Sequence, residues 1–288
     1  MNPGILYALG AYLAWGLFPL YFHQIAHIPA LQVIAHRTLW SLAVVAAVLL
    51  ATGRLAWLRE VSAATWRRFA LSAALIAVNW LTYVWAVANG HVLDASLGYF
   101  INPLVNVALG FAVLHERPRP AQWAAVALAA FGVLWLTVAA GRLPWVALVL
   151  AVSFGFYGLM RKTAALGALE GLALETLILA PLALAGMAWW WQAGALAGQS
   201  GVDWIWLVGT GPVTAGALLL FAAGARRIPL ATLGIVQYAS PSLQFLLGVF
   251  LFKEPMDANR LVAFACIWGA LAVYSAEGLW QTRRAAVA

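Results

Sequence analysis

Tyr99, Asn102 and Asn106 stand three and four residues apart in SLGYFINPLVN (96–106), a run that is otherwise almost wholly apolar. A helix places such positions on one face. A phenol and two carboxamides donate and accept hydrogen bonds, so the chemistry on offer is recognition of a polar ligand or of water, with no nucleophile or acid among them. Shifted by 138 residues, the stripe recurs as Gln237, Ser240 and Gln244. Asn79 and Tyr83 form a further i, i+4 pair flanked by Trp80 and Trp85, but their counterparts at a local offset of 136 are Ala215 and Leu219. A polar pair kept in one half only points to specificity for a substrate. Two readings of the stripes stand together: polar groups in a bilayer line a watery cavity, or they tie helices together at well under about 1 kcal/mol each. Pro103 and Pro241 occupy matching places. Each removes a backbone donor and frees a carbonyl one turn back, which makes a bend that serves as a moving part or as a static packing feature.

Arg37 and Glu175 are the charges expected well inside apolar spans, and they too are equivalent positions. They are predicted to lie at opposite depths and not to touch. For Glu175 two roles are open: a carrier of a coupling proton, or one half of an ion pair with Arg226 or Arg227. His36, beside Arg37, reads as an interfacial polar group. Trp15 and Phe18 correspond to Phe154 and Tyr157 at an offset of 139, and these aromatic walls could stack on a ligand or face a cation. The membrane interface is the other common home of tryptophan. No GxxxxGK[ST] loop and no HExxH occurs, so ATP hydrolysis, a metal site and an intramembrane enzyme are not expected. Cys266 is the single cysteine, which excludes an internal disulfide or a thiolate cluster. No cofactor is implied.

The elements that must position these side chains follow from composition. Of the 288 residues, 65% are hydrophobic and 9% charged, far below the roughly 25% charged of a soluble domain. The chain is all-α and integral to a lipid bilayer. Windows near twenty residues long, enough to cross about 30 Å at about 1.5 Å per residue, begin near Ile5, Gln32, Phe69, Ala95, Ala121, Leu143, Gly171, Trp204, Ala231 and Ala258. Ten transmembrane helices are therefore predicted. The net charge of +7 comes from residues scattered through short loops, without the basic stripe that a nucleic acid would need. With the N-terminus inside, twelve Lys and Arg fall in the inner loops and three, Arg142, Lys253 and Arg260, in the outer ones. That asymmetry predicts both termini in the cytoplasm. The N-terminal MNPGILYALG has no positive leader and reads as a retained first helix.

An internal repeat organises the chain. LGYFINPLVNVALGFAVLHE aligns with SPSLQFLLGVFLFKE, setting Pro103 over Pro241 and Glu116 over Glu254, and AWGLFPL (14–20) aligns with SFGFYGL (153–159). Residues 1–140 and 141–288 are two halves of five helices each within one membrane domain. Because five is odd, the second half must insert upside down relative to the first. Inverted repeats around a central cavity are the signature of secondary transporters.

NWLTYVWAVANGHVLDASLGYFINPLVN, the HER at 115–117, SFGFYGLMRK (153–162), LETLILAP (174–181) and TLGIVQYASPSLQFLLG together resemble the EamA family of the drug/metabolite transporter superfamily, in its RarD branch. The resemblance implies a ten-helix transporter of the bacterial inner membrane. It also implies a small-molecule substrate, since members of that superfamily export amino acids, drugs and other small metabolites. The expected function is export of small amphipathic metabolites by alternating access. Tyr99, Asn102, Asn106, Gln237, Ser240, Gln244, Asn79 and Tyr83 would contact substrate or water, and the fourth and ninth helices would open and close the two ends. The alternative is a receptor or accessory subunit that kept the fold without flux.

Overall fold

The computed structural model describes residues 3–115, 117–162, 164–196, 198–225, 227–228 and 236–287, and every regular element among them is helical. The first five long helices are α1 (Pro3–His23), α2 (Ala30–Ala51), α3 (Ala63–Ala88), α4 (Val92–Leu114) and α5 (Pro120–Ala140). The later ones are α6 (Trp145–Lys162), α7 (Ala168–Gln192), α8 (Gly201–Ala225), α9 (Ala239–Leu246, closed by a wide π turn Leu247–Leu251) and α10 (Ala258–Val287). A single turn, Trp57–Glu60, lies between α2 and α3.

Eight of these helices are long and apolar enough to cross a bilayer, and two shorter apolar helices, Trp145–Arg161 and Ala239–Leu251, accompany them. Ten spans of full length were expected, and two fall short for reasons visible in the chain. The α6 helix starts only after Pro144 and ends on Arg161–Lys162, whose charges close its apolar run. The ninth span was expected to begin near Ala231, but residues 229–235 lie outside the described residues, as do Glu116 and Arg226. One apolar window begins late because it misses a capped polar start. The third window opens at Phe69, whereas α3 starts at Ala63, where the Thr65 N–H donates to the Ser62 hydroxyl at 3.2 Å. Such a cap satisfies one of the free donors of a helix N-terminus.

Pairs of helices build the body. Helix α5 packs along α10, α4 along α6, and α1 along α8; α2 meets α7 and α8, α3 meets α6 and α7, and α9 meets α1 and α4. Small residues allow the closest of these approaches: a Cβ added at Gly98 of α4 would sit 2.7 Å from the Ala147 carbonyl oxygen of α6. Phe18, Phe22, Val33, Tyr83, Leu150 and Leu207 converge into one apolar cluster toward the end where α1 turns into α2. Leu134, Val138, Leu182, Trp189 and Phe250 point outward and stay exposed, as side chains facing lipid tails do. Each end is laced by polar contacts. At the α1–α2 end His27 meets Asp203 at 3.1 Å and the Gln199 amide donates to Gln32 at 3.0 Å; at the opposite end Arg54 pairs with Glu170 and Arg119 with Glu277.

Candidate functional site

Asn79 is the hub of the polar residues. It is 1% exposed, its amide nitrogen donates to the Leu150 carbonyl at 3.1 Å and the Ser153 hydroxyl at 3.0 Å, and its oxygen accepts from the Tyr99 hydroxyl at 3.2 Å. One amide thereby joins α3, α4 and α6. The Tyr99 ring lies 6.0 Å from Tyr83 and 5.9 Å from Phe154, and Phe154 lies 5.8 Å from Tyr157. Tyr83 is buried, and its hydroxyl has no hydrogen-bond partner among the described residues. A buried hydroxyl left unpaired loses its water without compensation, so Tyr83 is the polar group here that a ligand could satisfy.

The stripes on α4 and α9 each tie their helix to a neighbouring backbone, though from different positions in the repeat. The Asn102 amide donates to the Ala151 carbonyl of α6 at 3.1 Å, while Asn106, exposed on the next turn, donates to the Asn102 oxygen at 3.2 Å. On α9, the Gln244 amide donates to the Trp15 carbonyl of α1 at 3.2 Å and to the Ser240 hydroxyl at 3.3 Å. Gln237 is half-buried at the approach to α9. Pro103 stands inside α4, and Pro241 is the third residue of α9, its carbonyl accepting from the Ser96 hydroxyl at 2.8 Å. In this conformation Asn102 and Gln244 are helix ties, and Asn106 and Gln237 are the members of the stripes open to a ligand. Asn102→Leu should lower unfolding stability by no more than about 1 kcal/mol while reducing transport; equal transport at equal amounts of inserted protein would remove this face from the site.

Arg37 is 4% exposed. Its guanidinium lies 4.1 Å from the Trp80 ring centroid, 5.4 Å from Phe22 and 5.6 Å from Phe18, and its Nε donates to the Thr214 hydroxyl at 3.1 Å. Glu175 is 1% exposed and accepts from Ser72 at 2.5 Å and Tyr157 at 3.3 Å, with Arg161 at 3.8 Å. The two charges share no contact. The arginine beside Glu175 is Arg161, which corrects the expectation of Arg226 or Arg227: Arg226 is outside the described residues, and Arg227 donates to the Ala223 carbonyl at 2.8 Å and lies over Tyr7. Tyr157 and Arg161 are spaced i, i+4 on α6, so one face carries both to Glu175. That spacing was readable in the chain. His36, expected as an interfacial polar group, is 2% exposed, accepts from the Trp40 indole at 3.3 Å and packs edge-on to Trp204. Trp15 packs edge-on against Tyr12 and tilted against Phe221, whereas Phe18 packs edge-on against Phe22.

Glu254 carries a role that sequence reasoning missed. It lies beyond α9, yet its carboxylate accepts from the Val92 N–H at 2.5 Å and the Leu93 N–H at 2.9 Å, capping α4 from the other half of the chain. An anion at a helix N-terminus satisfies free donors and the helix dipole together. The repeat of the acid at 116 and 254 was the available signal, and Glu116 lies outside the described residues. Glu254→Ala should cost about 1–2 kcal/mol in the melting of purified protein, and Glu254→Gln less, since one acceptor remains. Nearby, a cavity of about 240 Å³ opens between α5, α6 and the start of α10, lined by Asp94, Arg142 and Arg260 among others. A smaller one of about 40 Å³, at the opposite end, is lined by Ser72 and Arg161.

Comparison with known proteins places this geometry. The model of the EamA-like transporter family matches residues 2–138. A protein of Pseudomonas aeruginosa described as an uncharacterized transporter is 50% identical, with 99% of this chain and 96% of that one aligned. Protein RarD of Streptomyces exfoliatus is 45% identical over 98% of this chain and 91% of its own length, and Protein RarD of Escherichia coli 42% over 98% and 97%. A solved crystal structure at 24% identity shares the fold, with a TM-score of 0.62 over 96% of this chain and 97% of the other.

Proposed function

We propose that this chain, which belongs to the EamA-like transporter family, exports small amphipathic metabolites, amino acids or related compounds, by alternating access across the bacterial inner membrane. It is a multi-pass membrane protein and a transporter by family. The finer reading rests on one observation, the exchange relation in its packing. If α1 to α5 are swapped with α6 to α10 in order, the α4–α6 contact becomes α9–α1, the α3–α6 contact becomes α8–α1, and α2–α8 becomes α7–α3, while α5–α10, α2–α7 and α4–α9 map onto themselves. All of these contacts occur. At the level of helices the ties follow the same exchange, although the residues are not counterparts of one another: Asn102, equivalent to Ser240, reaches the α6 backbone, and Gln244, equivalent to Asn106, reaches the α1 backbone.

Two five-helix halves related in this way are inverted in a membrane, because an odd number of crossings separates equivalent residues. Inverted halves have two end states of similar energy that differ in which side the centre faces, and that is the basis of alternating access. The twelve-to-three excess of Lys and Arg supports a cytoplasmic α2–α3 end and cytoplasmic termini. With that orientation, packing of Phe18, Phe22, Tyr83 and Leu207 toward the α1–α2 end supports an outer half closed in this conformation, with the Glu254 cap fastening it.

Counterflow in proteoliposomes tests the reading. Purified protein loaded with an unlabelled member of a metabolite panel should accumulate the labelled compound transiently, and inside-out vesicles should take it up. A receptor would bind without exchange and an enzyme would alter the label. Absence of exchange for every compound would overturn the proposal.

A further inference from the structure

Arg37 is a buried cation with no carboxylate partner among the described residues. Its Nε–H is held by Thr214 and its faces by Trp80, Phe22 and Phe18, but its two terminal nitrogens make no hydrogen bond among the described residues. The chain has nine acidic residues. Among the described acids Glu175 is the one in the interior of a span, and it is occupied by Ser72, Tyr157 and Arg161; the other described acids fall at the ends of spans or in loops. Aromatic faces attract a guanidinium but accept none of its in-plane hydrogen bonds. A bilayer-buried charge is costly until it meets a counter-charge.

The repeat sharpens this. Arg37 and Glu175 are equivalent at an offset of 138, and Phe18 and Phe22 are equivalent to Tyr157 and Arg161 at an offset of 139. Each charge thus sits against the same two positions of the equivalent helix and against a hydroxyl on the equivalent third helix, Thr214 for one and Ser72 for the other. In one copy the second aromatic position has become Arg161, and the charge is neutralised within the chain. In the other copy Phe22 remains, and no carboxylate among the described residues neutralises Arg37. Tyr83, one of the buried hydroxyls with no partner among the described residues, has its ring 6.0 Å from Phe22, the ring that also supports Arg37.

We propose that Arg37 is the anchor for a carboxylate of the transported molecule, with the Tyr83 hydroxyl as its second donor and Trp80, Phe18 and Phe22 as the wall for its apolar part. This rests on the transporter reading and names its substrate class: amino acids and other organic acids with an apolar body, as against amines or neutral drugs. A planar guanidinium offers two parallel donors to a carboxylate, and the aromatic wall holds the cation in place before the ligand arrives.

The test uses matched acids and primary amides: phenylalanine with phenylalaninamide, leucine with leucinamide, and 3-phenylpropionate with its amide. In counterflow by full-length protein in liposomes, the acids should exchange at least tenfold better than their amides. Arg37→Gln should bring that ratio to near one, and Arg37→Lys should keep part of it. Equal exchange of acids and amides by the unaltered protein overturns the proposal, as does Arg37→Gln with an intact preference, or exchange of amides alone. If Arg37→Gln fails to fold, the ratio in the unaltered protein decides by itself. Absence of any exchange overturns the transporter reading instead. The anion site is then judged by melting of the purified protein, where acids but not amides must raise the transition temperature; no acid-dependent rise overturns it.

Discussion

Arg161→Met should destabilise the folded protein by about 3 kcal/mol, the lower end of the cost of stranding one partner of a buried ion pair. Glu175 is 1% exposed and keeps its bonds from Ser72 and Tyr157, whereas Arg161 stands at 3.8 Å with 17% of its side chain accessible. The two ends of the pair are therefore unequal. Removing the arginine leaves a carboxylate with nowhere to go, while Glu175→Gln leaves an arginine that still donates to the Gly167 carbonyl at 2.9 Å. Glu175→Gln should cost clearly less than Arg161→Met. The double variant should regain most of the loss, since what it removes is a charge that no longer has to be buried. Denaturant unfolding of the four proteins reads the cycle directly. Additive losses would show that the pair is not coupled, and a loss as large for Glu175→Gln would show that the guanidinium is the stranded group. The same experiment bears on the asymmetry between repeats, because Phe22 occupies the place of Arg161 beside Arg37.

Much of this arrangement was legible in the chain because it depends on period and offset. Helix positions follow from apolar runs, and Pro103 and Pro241, at one spacing in the chain, fall in α4 and α9. Partners were less legible, since they depend on how far each helix is rotated about its axis. Asn79 and Asn102 both belong to polar stripes, yet the structure turns them onto the α6 backbone at Leu150 and Ala151. Whether an amide faces a cavity or a carbonyl is a matter of tens of degrees, which a 3.6-residue period does not resolve. Tyr83 shows the converse: its type and spacing resemble those of Tyr99, and only packing leaves its hydroxyl alone. Glu254 was hidden for a different reason. A cap made across about 160 residues of sequence, from one half onto the helix of the other, has no local pattern to announce it.

Gly211→Val should abolish correct packing of α8 on α2, and Gly216→Val, five residues along the same helix, should leave the protein folded. A Cβ at Gly211 would lie 2.5 Å from the backbone carbon and oxygen of Trp40, whereas one at Gly216 meets nothing within 4 Å. Both are apolar additions to one helix, so propensity and hydrophobicity change alike. What differs is the obstacle. A flexible side chain could move aside, but Trp40 presents backbone, so the helices themselves must separate. Overpacking costs about 1–3 kcal/mol where side chains can adjust, and contact with backbone puts Gly211→Val at or above the top of that range. The consequence reaches the candidate site, because the α2–α8 seam carries the Arg37–Thr214 hydrogen bond one turn away. Folded yield after detergent extraction, measured by gel filtration, should fall severalfold for Gly211→Val and stay near that of the unaltered protein for Gly216→Val. Equal yields would mean that α2 and α8 do not approach this closely. Gly211→Ala, with the smallest added group, should fold in part and then lose preference for acids over amides, since spreading the seam withdraws Thr214 from the guanidinium that it orients.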